Sequence, residues 1–130
     1  MAAAVMLRNS EVVIRQVGLN PTRTAFIDVL SEFGVKPVKR NVAERHGEPV
    51  GDLYAMTSEL RTASGKTTFS GGVIANLIDE VPILAVLATQ VDGRVEVRDA
   101  RELRIKESDR IRTIVDGIRS LGGEIEEFED

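Results

Sequence analysis

The side chains in this sequence that could do chemistry are concentrated between positions 101 and 110, in the segment RELRIKESDR. Seven of its ten residues carry a charge, four of them positive and three negative. Lys106 and Arg110 flank the predicted start of a helix, where free backbone N–H groups and the helix dipole favour an anion. Glu107 lies between these cations, whose charges lower the pKa of its carboxyl group. It therefore stays ionised unless burial raises that pKa enough to oppose them. The segment therefore predicts an anion-binding site that also holds a carboxylate able to serve as an acid or a base.

A second candidate is Asp79, inside an apolar segment. Residues 73–89 are apolar on almost every face, which is typical of a helix buried inside a domain. Asp79 is expected to cap this helix, with Pro82 in its first turn. A carboxylate at the end of a buried helix needs a partner, in packed protein or in a cleft. The alternative is a purely structural role for both features. Asp79 would then be an ordinary helix cap, and the segment at 101–110 would be a run of solvated, mutually paired charges.

The apolar spacing and the turn residues predict the elements that position these groups. One helix is predicted from its cap, Asn20, to Gly34, which ends it. Another takes Ser108 as its cap and stops at Gly122 and Gly123. Its predicted buried face consists of Ile111, Ile114, Val115, Ile118 and Leu121. Strands are predicted at 10–17, 35–40, 52–56, 95–98 and 124–128, with turns at 46–51, 70–72 and 92–93.

The two predicted surface helices belong to an internal repeat. Their caps, Asn20 and Ser108, lie 88 residues apart, whereas the strands before them match at an offset of 83, as in Val12 and Val95. The second copy therefore contains five extra residues, and the charged segment at 101–107 accommodates them. A loop that is longer than its counterpart favours a function over a simple connection.

Composition argues against several classes of protein. The absence of cysteine excludes disulfides and thiolate metal sites and fits a reducing cytoplasm. A net charge of -4 provides no long-range attraction to nucleic acid. The longest apolar run, 81–88, is shorter than the roughly 20 residues that span a bilayer. The opening MAAAVML lacks the features of a signal peptide and is typical of the end of a helix whose beginning is missing. His46 is the only histidine and has no second metal-type ligand in register.

Three motifs in this order closely resemble the 3-phosphoshikimate 1-carboxyvinyltransferase family: LNPTRT at 19–24, LIDEVPILAVLA at 77–88 and RELRIKESDRI at 101–111. The resemblance covers nearly the whole chain. It implies an α+β fold of repeated βαβαββ units, with sheets packed on helices and one helix buried. Residues 1–130 would then be a fragment of the C-terminal lobe, with two internal units at roughly 10–69 and 70–130.

The resemblance also implies a reaction, the transfer of the enolpyruvyl group of phosphoenolpyruvate to the 5-hydroxyl of shikimate 3-phosphate, with no metal or organic cofactor. Asp79 would hydrogen-bond the shikimate hydroxyls and act as the base for the attacking one. Glu107 would handle the proton at the methylene carbon of phosphoenolpyruvate. Lys106 would contact shikimate 3-phosphate, and Arg110 would bind phosphoenolpyruvate. Glu102 is left unassigned, because some family members have an Asn there.

A fragment of this kind is expected to be catalytically silent alone, because other cations of the family's site lie outside it. The resemblance implies a cytoplasmic and monomeric full enzyme, and a cut lobe surface favours self-association of the fragment. One alternative is a free-standing βαβαββ module that binds RNA, which the acidity and the five aromatic residues disfavour. Another is a UDP-N-acetylglucosamine enolpyruvyl transferase, which the KESDR segment disfavours. Neither nucleic acid nor a membrane is expected as a partner.

Overall fold

Two separate sheets flank the helices in the computed structural model, which describes all 130 residues. The strands are β1 (Glu11–Gly18), β2 (Val38–Arg45), β3 (Glu48–Met56), β4 (Arg61–Phe69) and β5 (Asp92–Val97). The α-helices are α1 (Ala2–Met6), α2 (Ala25–Glu32), α3 (Gly72–Leu77), α4 (Val81–Ala88) and α5 (Arg110–Ser120). Short 3₁₀ helices at Pro21–Arg23 and Arg101–Arg104 precede α2 and α5. This mixture of helices and sheets is the predicted α+β fold.

The first sheet has the strand order β1-β3-β2 and is antiparallel, while β4 and β5 form a parallel pair. His46 and Gly47 connect β2 to β3, and their φ angles of 53° and 80° suit a two-residue hairpin turn. The predicted turn at 46–51 is therefore too long, since β3 already begins at Glu48. Parallel strands need a crossover, which α3 and α4 provide between β4 and β5.

One apolar core lies between the helices and the sheets, and its members come from α1 through to the 3₁₀ helix at Arg101–Arg104. Phe33 and Phe69 meet edge to face, with ring centroids 5.8 Å apart. Leu103 is completely buried in this core although its neighbours in sequence are charged. The charged segment is therefore anchored to the core by one of its own side chains.

The order helix, strand, 3₁₀ helix, α-helix occurs twice, as α1 to α2 and as α4 to α5. Gln16 and Asp99, which the offset of 83 equates, both have positive φ, 56° and 63°. Gly34 and Gly122 end α2 and α5 with φ of 81° and 83°. Each glycine and the residue after it donate backbone N–H groups into the last helical turn, which is the Schellman motif. These correspondences support the predicted repeat, whose bounds at 10–69 and 70–130 remain a prediction.

The apolar segment predicted as one helix forms two, because α3 ends at Leu77 and α4 starts at Val81. Asp79 lies in the turn between them and caps neither helix, since the N-cap position of α4 is Glu80. The predicted cap role of Asp79 is wrong. Asp79 and Pro82 indicated the start of α4, but the apolar residues before them hid the separate helix α3. Pro82 is in the first turn of α4, as predicted.

The predicted start of the last helix is also wrong by one residue. Asp109, not Ser108, is the N-cap of α5, and its carboxylate accepts a hydrogen bond from the Arg112 N–H. A carboxylate is as good a cap as a hydroxyl and suits the positive end of the helix dipole better. Leu121 lies past the end of α5 and is 89% exposed, so it does not belong to the buried face. Asn20 likewise caps the 3₁₀ helix at Pro21–Arg23, while Thr24 is the N-cap of α2.

Several strand predictions need correction. Residues 124–128 form no strand, because their backbone finds no partner strand. The strand expected at 35–40 begins and ends later, at Val38–Arg45. The turn expected at 92–93 is part of β5, which ends at Val97. The strand β4 was not predicted, because RTASGKTTF is mostly polar and lacks the alternation of a half-buried strand. The strand expected at 10–17 is present as β1, one residue later at each end.

Candidate functional site

Arg110 connects the two parts of the chain from which the candidate residues come. One of its terminal nitrogens lies 3.5 Å from Asp79 Oδ1, and the other lies 3.3 Å from Glu107 Oε2. The turn before α4 and the start of α5 thus lie side by side. The structure therefore brings together Asp79, Glu107 and Arg110, which are far apart or on different elements in the sequence.

Lys106 joins this group from the loop before α5. Its ammonium donates to Glu102 Oε1, four residues earlier, and its side chain is the least exposed of the four at 27%. The hydrogen bond to Glu102 is the main cause that raises the pKa of Lys106 above its ordinary value. The charge of Asp79 also raises this pKa, while burial and the charge of Arg110 lower it. Lys106 is thus a permanent cation within electrostatic reach of both Asp79 and Arg110.

Glu107 is the most exposed member of the site, with 87% of its side chain accessible. A hydrogen bond from its own backbone N–H lowers its pKa most, and the hydrogen bond and charge of Arg110 add to this effect. Lys106 contributes a smaller lowering of the same kind. Glu107 is therefore an ionised carboxylate, ready to accept a proton.

Two anchors position the charged loop between the 3₁₀ helix and α5. Leu103 fixes the start of the loop in the core. Asp109 fixes its end, where the carboxylate accepts the Arg112 N–H at 3.0 Å and the Thr113 hydroxyl donates to the Asp109 carbonyl at 2.9 Å. The hydrogen bond from the Arg112 N–H is the main reason that the pKa of Asp109 is below its ordinary value. Lys106 and Glu107 therefore extend from a short loop whose two ends are fixed.

Arg110 lies within ion-pairing distance of two carboxylates on an open surface, and Lys106 pairs with a third, Glu102. Such a cluster can bind an anion by exchange, because a ligand with more negative charge displaces a carboxylate from Lys106 or Arg110. The released carboxylate is then free to take a proton. The side chains contain no cluster of three His, Cys, Asp or Glu with the geometry for a metal ion. None of the five helices has both the length and the apolar character that crossing a membrane requires.

A cleft of about 740 Å³ lies elsewhere, between α4, β5, α5 and the chain after Gly122. None of the four candidate residues lines it. Its buried carboxylate, Glu96, is paired with Lys66 at 2.6 Å and with Arg98 at 2.5 Å. The hydrogen bond from Lys66 is the main cause of the lowered pKa of Glu96, followed by that from Arg98. This second group of charges is satisfied internally and is separate from the candidate site.

Sequence reasoning left out Glu102 and named Asp109 only as part of a motif. The structure pairs Glu102 with Lys106 and makes Asp109 the cap that ends the loop. The i,i+4 spacing of Glu102 and Lys106 was the available signal for their pairing. The capping preference of Asp was the signal for Asp109.

The family model described as EPSP synthase (3-phosphoshikimate 1-carboxyvinyltransferase) matches residues 1–130, the whole of the chain. This chain belongs to the EPSP synthase family. It is 46% identical over 130 residues to the 3-phosphoshikimate 1-carboxyvinyltransferase of Bacillus subtilis and covers 29% of that protein. It is 45% identical over 131 residues to the protein of the same name from Thermodesulfovibrio yellowstonii and covers 30% of it.

A solved EPSP synthase structure from Acinetobacter baumannii superposes on 99% of the chain with a TM-score of 0.89 and 32% sequence identity. The chain covers 28% of that structure. The family resemblance and the fold class predicted from the sequence are therefore confirmed. The chain spans less than a third of the length of the EPSP synthase relatives that it matches.

Proposed function

We propose that this chain supplies one side of the substrate site of a 3-phosphoshikimate 1-carboxyvinyltransferase, which transfers the enolpyruvyl group of phosphoenolpyruvate to the 5-hydroxyl of shikimate 3-phosphate. The observation that carries the proposal is the position of Arg110, between Asp79 and Glu107 and within electrostatic reach of Lys106. Family membership supplies the reaction and the two anionic substrates. The clustered cations supply the charge that such substrates require.

Lys106 and Arg110 bind the two anions in this proposal. Lys106 contacts shikimate 3-phosphate, and Arg110 contacts phosphoenolpyruvate. In the free chain, both cations are neutralised by neighbouring carboxylates. Binding of the substrates therefore exchanges internal ion pairs for ion pairs with the ligands, which carry more negative charge than one carboxylate.

The two carboxylates move protons. Asp79 accepts the proton of the 5-hydroxyl while the oxygen forms its bond to C2 of phosphoenolpyruvate. Glu107, in its protonated form, donates a proton to C3 to complete the tetrahedral intermediate. Glu107 then takes a proton back from C3 as the C2–O bond to phosphate breaks.

Arg110 couples substrate binding to the protonation of Glu107. Its hydrogen bond and charge are part of the reason that the pKa of Glu107 is lowered in the free chain. When phosphoenolpyruvate engages Arg110, this lowering is weakened, and the pKa of Glu107 rises toward its ordinary value of 4.5. The bound anion adds a further rise, because like charge disfavours the ionised carboxylate.

The chain alone is proposed to hold neither substrate tightly. The side chains of Asp79 and Glu107 are 76% and 87% exposed, so water screens every interaction at the site. The relatives in which the activity is named are more than three times longer. Enclosure of the site, and the remaining cations, must come from outside these 130 residues.

The alternative of an RNA-binding module finds little support in the aromatic residues. Phe33 and Phe69 are buried, and the ring of Tyr54 is covered by Arg40, whose guanidinium carbon lies 4.6 Å from the ring centroid. Stacking on bases needs accessible aromatic faces. The alternative of a UDP-N-acetylglucosamine substrate is left to the experiment below.

The test uses a hybrid chain, in which these 130 residues replace the matching segment of the Bacillus subtilis relative. The assay measures phosphate release from phosphoenolpyruvate in the presence of shikimate 3-phosphate. We expect the hybrid chain to release phosphate and the 130-residue chain alone to release none. Activity with UDP-N-acetylglucosamine in place of shikimate 3-phosphate would favour the alternative instead.

Point variants of the hybrid chain test the individual roles. Asp79→Asn and Glu107→Gln are expected to lower kcat about 100-fold or more, the usual contribution of a general acid or base. Lys106→Met and Arg110→Met are expected to raise KM for their substrates at least tenfold, by about the strength of one charge-assisted hydrogen bond. The control is Arg112→Met, because Arg112 pairs with Asp116 on the exposed side of α5. Full activity in all four site variants would contradict the proposed site.

A further inference from the structure

The loop that carries Lys106 and Glu107 is held by side chains alone. Residues 106–108, called the 106–108 loop below, make no backbone–backbone hydrogen bond. A segment without a hydrogen-bonded backbone takes its shape from side-chain contacts or from water. The contacts that fix this loop therefore decide where Lys106 and Glu107 point.

The ion pairs inside the candidate site cannot keep the loop in place during the proposed reaction. Lys106 pairs with Glu102, and Glu107 pairs with Arg110. Both cations are the proposed ligands of the anionic substrates, so substrate binding loosens these pairs. A contact that maintains the loop in the bound state must therefore involve neither Lys106 nor Arg110.

Arg104 makes such a contact. It precedes the loop, and one nitrogen of its guanidinium lies 2.9 and 3.2 Å from the two carboxylate oxygens of Asp109, which follows the loop. The same nitrogen donates to Glu127 Oε1 at 2.9 Å, and its Nε donates to the Glu129 carbonyl at 3.1 Å. The Arg104 side chain is only 20% exposed, less than that of Lys106 or Arg110. The Arg104–Asp109 pair thus spans the loop and is better shielded from water than the site itself.

Asp109 links this ion pair to α5. The carboxylate oxygen that caps α5, by accepting the Arg112 N–H at 3.0 Å, also accepts from Arg104. Leu103, directly before Arg104, is completely buried. The chain on both sides of the 106–108 loop is therefore fixed, by the core before it and by the helix after it, and Arg104 joins the two.

We propose that Arg104 is a positioning residue, whose ion pair with Asp109 holds the 106–108 loop in the shape that presents its side chains to the substrates. Arg104 touches neither substrate in this proposal. Its effect on the reaction rests on the proposed function, whereas its effect on the loop rests on the contacts of Arg104 alone.

The first measurement is the NMR order parameter of each backbone N–H group in the 130-residue chain and in the hybrid chain, because amides without a hydrogen bond already exchange freely. Arg104→Met removes the charge and keeps a long side chain, and Asp109→Asn keeps a capping oxygen but removes the negative charge. In both variants we expect the order parameters of residues 106–108 to fall from about 0.85 to below about 0.6, while those in the middle of α5 stay the same. Arg112→Met, the matched loss of an exposed arginine, is expected to leave the loop unchanged.

The second measurement is the steady-state kinetics of the hybrid chain. A misplaced loop lowers kcat more than it weakens binding, so we expect Arg104→Met to lower kcat about tenfold and to change each KM less than threefold. Arg104→Lys keeps the charge without the planar fork and is expected to recover part of the loss. A direct substrate ligand would instead raise KM, as expected for Lys106→Met.

The outcomes separate this inference from the proposed function. Unchanged order parameters of the 106–108 loop in both Arg104→Met and Asp109→Asn would overturn the inference, even in an active hybrid chain. Lower order parameters of the loop with a silent hybrid chain would overturn the proposed function and leave the structural role of Arg104 standing. A rise in KM with unchanged order parameters would make Arg104 a binding residue and refute its role in positioning.

Discussion

Leu103 offers a direct test of how the charged segment is attached to the rest of the protein. It is the only member of the RELRIKESDR segment that is buried, and no part of it is accessible to water. The substitution Leu103→Ala removes three carbon atoms from the core, each worth about 0.8 kcal/mol of transfer free energy. The cavity that remains adds to this loss, so the free energy of unfolding should fall by about 3 to 4 kcal/mol.

A loss of this size is large beside the total stability of a small domain, which is roughly 5 to 15 kcal/mol. The midpoint of thermal unfolding should fall by about 10 °C. Urea unfolding followed by circular dichroism measures the change directly. The matched control is Leu121→Ala, the same chemical change at a side chain that is 89% exposed, and it should alter stability by less than about 0.5 kcal/mol.

Equal effects of the two substitutions would show that Leu103 is not held in the core. Hydrogen exchange adds a second readout. If Leu103 fixes the start of the charged loop, Leu103→Ala should speed exchange of the Ile105 amide, which donates to the Glu102 carbonyl, more than that of the amides in β3. A uniform increase over the whole chain would mean that the substitution acts only through global stability.

Two further predictions concern α5. Gly122→Ala should destabilise the chain by about 1 kcal/mol, because Gly122 has a φ of 83° that a side chain disfavours. Gly117 lies within the helix with open space around it, so Gly117→Ala should stabilise the chain by about 0.5 to 1 kcal/mol. Urea midpoints measure both, and a shift of the same sign in the two variants would contradict the assigned backbone roles. The pKa of Asp109 is lowered from 3.8, so its contribution to stability is present above that pH and is lost as the pH falls through the lower folded pKa. Asp109→Asn should therefore destabilise the chain at pH 7 and make little difference near pH 2, and a difference that is independent of pH would show that the carboxylate charge plays no part.

The candidate residues were predictable as a group, because a specific resemblance named them and because opposite charges at short spacing attract each other. Their contacts were only partly predictable. The bridge from Arg110 to Asp79 depends on the turn between α3 and α4. The sequence indicated a helix start at Asp79 but not the separate helix before it, since the residues on both sides of the turn are apolar on every face.

The other errors also have physical reasons. β4 was missed because its side chains are polar although its backbone pairs with β5. The strand expected at 124–128 was inferred from local composition, but a strand also requires a neighbour to complete its ladder, which composition cannot reveal. Ser108 and Asp109 are both good capping residues, and only the backbone angles of Asp109, φ -68° and ψ 95°, distinguish them.

The apolar core has a consequence for how the chain divides. Val5 at one end and Leu103 near the other belong to the same cluster, and so do residues from both predicted repeat units. A chain cut between Phe69 and Ser70 would leave each half with part of a hydrophobic interior and nothing to close it. We therefore expect the two predicted repeat units to unfold together, in one cooperative transition.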